Sequence, residues 1–330
     1  MAYKEGPNPV TDPVKVAPGV KMFAEVVGRG KPMVLVHGFG LDHRMWKYQI
    51  PYLKNHGYHV VSIDLRGFGD SKDMPASYTY DTWANDLGKA IDKFERDDVT
   101  LVGYSLGGAI AMHYMATHDD PPVNRLALVA AAGPYMTWSR ESVLQRLASY
   151  SGGLIGGLAE AFVSILTLRL DKILYAATRT GAVLANQMLL DVGNIVDHWS
   201  CLGRDAIFFD TLIGLIEGGA SPQLIPRIYG DEALSAEADL EWIEDMLQAS
   251  SPEALIGGLE EMRDKDQKRS LEDIAVPTTI VGGTMDLLVP PWLIAEQLMQ
   301  IEGAKLCMLL GGHGLFFEQV DALNQALAER

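Results

Sequence analysis

In VGYSLGG, residues 102–108, Ser105 stands between Gly103 and Gly107, a setting that suits a nucleophile. A serine hydroxyl is weak at neutral pH and needs an adjacent base, itself oriented by an acid. Of the eight histidines, His313 is the best placed: in LLGGHGLFFEQV it lies in a glycine-rich loop after the last apolar run. The acid should project from the end of another strand, ahead of the histidine. AAAG, at 130–133, offers no carboxylate there, whereas TTIVGGTMDLLVPP offers Asp286. Ser105, Asp286 and His313 thus follow one another as nucleophile, acid and base, a set suited to acyl transfer.

Acyl transfer also needs two donors for a developing oxyanion. The backbone N–H of Leu106, directly after the serine, is one. The other is the N–H of Phe39, held between Gly38 and Gly40 in VLVHGFGLDHRMW. His37 reads as a residue bracing this loop, and His43 and Arg44 as reaching the mouth of the pocket. His56, His59, His113, His118 and His198 read as surface or packing residues.

These side chains need a scaffold that converges on one edge. Apolar runs (KMFAEVV, PMVLVHG, HVVSIDL, VTLVGYS, RLALVAAAG, TTIVGG and KLCMLLGG) alternate with helix-like segments. Runs that are apolar throughout predict buried strands of a mostly parallel sheet, with helices covering both faces. The helical segments are MWKYQIPYLKNHG, TYDTWANDLGKAIDKFE, LGGAIAMHYMATH, PWLIAEQLMQIEG and FFEQVDALNQALAER. Ser105 then sits at a sharp strand-to-helix turn at the carboxyl edge of the sheet, where open parallel sheets bind ligands. Gly103 and Gly107 remove side chains that would collide across that turn.

The alternation stops between Pro134 and Ser270. That stretch is rich in Leu, Ile, Met and Ala, and predicts an all-helical cap over 134–269, inserted into a catalytic domain of 1–133 and 270–330. Within it, GGLIGGLAEAFVSILTL (152–168) is too short and glycine-rich for a membrane span. It reads as a buried cap helix, with an interfacial lid or a homodimer contact as alternatives, and no stable membrane insertion is expected.

Hydrophobic residues make up 48% and charged residues 21%, the balance of a globular chain. The formal net charge of −16 argues against nucleic acid as a partner. Residues 231–273 hold fourteen Asp or Glu against four Lys or Arg, a stretch that reads as a solvated face. Cys201 and Cys307 lie in apolar contexts and read as buried thiols. With a start, MAYKEGPNPVTDPVKV, lacking a secretory pattern, they predict a cytoplasmic protein. No His and carboxylate cluster has metal-ligand spacing, and no phosphate or dinucleotide loop is present, so neither metal nor cofactor is expected.

Taken together, HGFG, DLRGFGDS, GYSLGG, GGTMDLLVP and GGHGLFFE resemble the α/β-hydrolase fold in order and spacing, over about residues 20–133 and 270–330. The resemblance points to the serine-nucleophile, carboxylesterase or lipase-like branch with a helical cap that selects the substrate. It implies that Asp64, Arg66, Gly67, Gly69 and Ser71 form a structural turn. Ser105 disfavours dehalogenase and epoxide hydrolase chemistry, which uses Asp at this position. The expectation is hydrolysis of a neutral or hydrophobic small-molecule ester or lactone. Three alternatives remain: a carbon–carbon hydrolase using Arg140, Arg169 or Arg179 for an anionic substrate, an aminopeptidase-like enzyme using the acidic stretch, and a ligand receptor on a hydrolase scaffold.

Overall fold

The computed structural model describes residues 9–133, 237–264 and 271–329, apart from 76, 95, 96, 285, 287 and 290. The chain divides into two compact units, Met1–Tyr135 with Ile225–Arg330, and Met136–Leu224. The second unit lies outside the described residues, and with it 152–168, His198, Cys201, Arg140, Arg169 and Arg179.

Ten strands are described in the first unit: β1 (Val10–Thr11), β2 (Val14–Ala17), β3 (Val20–Met22), β4 (Ala24–Gly28), β5 (Lys31–Val36), β6 (Tyr58–Ile63), β7 (Val99–Tyr104), β8 (Val123–Val129), β9 (Thr278–Gly283) and β10 (Lys305–Leu309). Eight of them form one sheet in the order β1-β4-β6-β5-β7-β8-β9-β10, and β2 and β3 form a separate ribbon. Pairing is parallel from β6 through β10 and antiparallel at β1/β4 and β4/β6. The expected single strand KMFAEVV is therefore two, interrupted at Phe23, whose N–H donates to Ser71 Oγ at 2.8 Å.

The described helices are α1 (Gln49–Asn55), α2 (Tyr80–Phe94), α3 (Leu106–Thr117), α4 (Glu237–Gln248), α5 (Pro252–Asp264), α6 (Pro291–Gln300), α7 (Leu315–Glu318) and α8 (Val320–Ala328). MWKYQIPYLKNHG divides into a 3-10 turn, His43–Trp46, and α1. Asp42 caps the turn, its carboxylate accepting the Arg44 N–H. On one face of the sheet, Met33 and Leu35 of β5 and Val102 and Tyr104 of β7 share a core with Ile50 and Leu53 of α1, Met246 and Leu247 of α4, and Leu323 and Leu327 of α8. Against the sheet also lies α3, which contacts β5, β7 and α2 and is buried on nearly every side, as its unbroken apolar sequence requires.

Register brings the functional loops together. Val36 of β5 pairs with Gly103 of β7, Tyr104 with Val129 of β8, Val129 with Val281 of β9, and Gly283 with Leu309 of β10. The chain segments after β5, β7, β9 and β10 consequently leave the sheet at the same edge. Cys307 is a partly exposed free thiol rather than the buried one expected, because among the described residues β10 is the edge strand of the sheet.

Candidate active site

Ser105 occupies the turn from β7 into α3 with φ 51° and ψ −117°, a conformation rarely adopted by a side-chain-bearing residue. Its N–H donates to Val129 O at 3.0 Å, and its carbonyl accepts the N–H of Gly108, Ala109 and Ala132. A Cβ at Gly103 would stand 2.5 Å from Gly107 O and 2.6 Å from Gly108 Cα, so the strand and helix close only over glycine. At Gly107 the obstruction is different: a Cβ would run into the carbonyl oxygens of Val36 and His37, on the neighbouring strand and its loop.

The three side chains expected from three separate segments meet here. Ser105 Oγ lies 3.0 Å from His313 Nε2, and His313 Nδ1 lies 2.8 Å from Asp286 Oδ2. All three residues are buried, Ser105 being 6% exposed. The second carboxylate oxygen of Asp286 accepts the N–H groups of Leu288 and Val289, which fixes the plane it presents to the imidazole. With Nδ1 donating to the carboxylate, Nε2 is the nitrogen left to accept a proton from serine.

Leu106 N–H is among the first amides of α3, which helix geometry leaves without an intrahelical acceptor. The Gly38–Gly40 loop lies alongside: a Cβ at Gly38 would stand 3.1 Å from Ser105 Cβ, and Gly40 has φ +64°. His37 braces this loop as expected. Leu65 N–H donates to its Nε2 at 2.9 Å, so Nδ1 carries the proton and donates to Gly38 O at 2.8 Å. Burial lowers the His37 pKa against the pull of Asp64, which keeps the ring neutral in this role.

A profile of the alpha/beta hydrolase fold matches residues 31–188. The AB hydrolase superfamily protein YisY of Bacillus subtilis is 28% identical over 318 residues, spanning 96% of this chain and 97% of its own. The chain has the α/β-hydrolase fold. Among solved α/β-hydrolase folds, a bromoperoxidase from Bacillus anthracis superposes with a TM-score of 0.70 at 22% identity, covering 96% of this chain and 98% of that one. The esterase EaEST from Exiguobacterium antarcticum gives a TM-score of 0.69 at 24% identity, with the same coverage.

The turn after β6 is the architecture this α/β-hydrolase fold was expected to have. Arg66 pairs with buried Asp86 at 2.9 Å, and Asp64 accepts the N–H groups of His43 and Asp70. Gly67 and Gly69 both have positive φ, and Ser71 accepts from Phe23 as described above. His43 and Arg44 line a cavity of about 400 Å³ with Asp42, Gly69, Asp70, Asp245 and Ala249, a group that includes none of the triad.

Several relationships exceed what spacing could reveal. Ligand atoms of Asp42, His43 and Asp64 lie within 4.8 Å of one another, a His and carboxylate cluster that sequence spacing had not indicated. Its atoms are already engaged: Arg44 holds Asp42 with contacts of 2.6–3.0 Å, and His43 Nδ1 lies 2.9 Å from Asp64. Behind the base, Tyr104 O–H donates to His313 O at 2.6 Å, and Gly312 N–H donates to Glu318 at 2.6 Å. A tyrosine ending an apolar strand run needs a partner for its hydroxyl, the sequence signal that could have singled out Tyr104. His113 Nε2 meets Asp81 at 2.6 Å, away from the triad. Among the described residues no helix is long and apolar enough to cross a membrane.

Proposed function

We propose that this protein is a serine hydrolase that cleaves a carboxylic ester or lactone through an acyl-enzyme. The observation carrying this reading is the continuous series from Ser105 Oγ through both imidazole nitrogens of His313 to Asp286, at 3.0 and 2.8 Å. Ser105 Oγ attacks the carbonyl carbon as its proton passes to His313 Nε2, and Asp286 stabilises the imidazolium. The N–H groups of Leu106 and Phe39 receive the tetrahedral oxyanion. Collapse breaks the C–O bond as the leaving oxygen takes the proton from His313, so that an ester releases its alcohol and a lactone opens to a tethered one. Water then attacks the acyl-enzyme with His313 again as base, and the carboxylic acid departs. Each step uses side chains and backbone amides of this chain.

A neutral or hydrophobic substrate suits the net charge of −16 and the apolar side chains of Phe39 and Leu106 beside the nucleophile. Steady-state hydrolysis of p-nitrophenyl esters from acetate to decanoate, by wild type and Ser105→Ala, tests the reading. Turnover should fall by on the order of a millionfold in the variant, and the chain-length optimum sizes the acyl pocket. Wild-type inactivity across the series would rule out simple ester hydrolysis.

The likeness to a bromoperoxidase supports a second acceptor. Hydrogen peroxide attacking the same acyl-enzyme in place of water would release a peracid and regenerate Ser105. Adding peroxide to the ester assay and measuring peracid separates the two.

A further inference from the structure

Two adjacent glycines, Gly257 and Gly258, stand inside α5, where helix propensity disfavours them. Each lies against a different neighbour. A Cβ at Gly257 would stand 2.7 Å from Tyr78 Cβ. At Gly258 it would stand 3.2 and 3.3 Å from Phe39 Cδ2 and Cε2, and 3.5 Å from Leu106 Cδ2. The helix therefore rests on the side chains of the two residues whose amides face the oxyanion. From α4, Leu247 packs so closely on Gly40 that a Cβ there would run into its Cδ2, and Leu255 Cδ2 lies 3.5 Å from the same point.

The pair is anchored independently of these contacts. Ser251 N–H donates to Gly67 O at 2.8 Å, Tyr80 N–H donates to Glu261 Oε2 at 2.8 Å, and Arg44 donates to Asp245 O at 3.4 Å. Leu247, Leu255 and Leu259 are all buried. A loop built as Gly38-Phe39-Gly40 has wide conformational freedom of its own. An oxyanion donor, by contrast, must be held to within about 0.5 Å.

We propose that α4 and α5 clamp the oxyanion loop, with Leu247 and Gly258 as positioning residues. The proposal rests on the serine hydrolase reading and extends it: helices that lie between β8 and β9 in the chain set the geometry of the hole. Alanine at position 258 improves helix propensity but pushes Phe39 by a few tenths of an ångström. Stability and activity should therefore move in opposite directions, which a purely structural role would not produce.

The test uses a fluorophosphonate, which needs no knowledge of the natural substrate. Ser105 Oγ displaces fluoride from phosphorus, its proton passing to His313, while the phosphoryl oxygen occupies the oxyanion hole. Labelling rates and Tm are measured for wild type, Ser105→Ala, Gly258→Ala, Leu247→Ala and the core control Leu323→Ala. The clamp predicts roughly tenfold slower labelling in Gly258→Ala at unchanged or higher Tm. It also predicts slower labelling in Leu247→Ala, and a wild-type rate in Leu323→Ala despite its lower Tm. Gly258→Ala labelling at the wild-type rate while Ser105→Ala is unlabelled would overturn the clamp and leave the serine reading intact. An unlabelled wild type would overturn both.

Discussion

Glu261 Oε2 accepts the backbone N–H of Tyr80 at 2.8 Å, joining two residues 181 positions apart in the chain. The carboxylate caps the first turn of α2 from another helix, satisfying a donor that the helix itself cannot. Negative charge there also complements the helix dipole.

Glu261→Ala should consequently destabilise the fold by about 1–2 kcal/mol. Glu261→Gln keeps an acceptor and should lose roughly half as much, only the charge being gone. Chemical denaturation of the two variants checks the ranking, and equal losses would mean that the hydrogen bond contributes little.

Tyr104→Phe removes the O–H that donates to His313 O while leaving the ring against Phe316, 5.2 Å between centroids. Stability should fall by about 1 kcal/mol. Because the same contact sets the height of the base above Ser105, kcat should fall roughly tenfold with KM little changed. A kcat equal to wild type would show that Gly312 and Glu318 suffice to hold the base.

Asp286→Asn preserves the size of the side chain but cannot hold His313 in the same tautomer. Ester turnover should drop by on the order of ten-thousandfold with Tm close to wild type. Near-normal turnover would mean that another carboxylate orients the base.

His43 faces Asp64, Asp42 and Glu25 and packs on the Phe23 ring at 4.4 Å. Burial by itself lowers its pKa, but the hydrogen bond and charge of Asp64 outweigh it, and the net shift is upward. A raised folded-state pKa gives stability that is fully present below the unfolded value and is lost as pH rises through the folded one. The Tm gap between wild type and His43→Gln should therefore be wider at about pH 5.5 than at about pH 8.5. A gap that widens with pH would contradict the assignment.

Much of the site could be read in the sequence because its requirements are local. Gly103 and Gly107 are demanded by contacts within a few residues of Ser105 or on the adjacent strand, and Asp286 and His313 each follow an apolar strand. The ribbon of β2 and β3 is not legible because VKVA is too short for a period to register and VKM runs on into the apolar stretch of β4. The cluster at His43, the Glu261 cap and the seating of α5 on Phe39 are not legible for another reason. Each joins groups far apart in sequence, where neither composition nor period carries a trace of the partner. The exposure of Cys307 is not legible because an apolar run does not distinguish an edge strand from a central one.

At Ser105 the backbone occupies φ 51°, ψ −117°, which glycine enters freely and serine does not. Such a residue stores about 1–3 kcal/mol, and Ser105→Gly should release part of it, yielding an inert protein with a higher Tm. The most durable version of this molecule is thus one that does nothing. Selection for yield or heat tolerance alone would tend to erase the nucleophile, so any campaign to stabilise the protein must screen for turnover at every round.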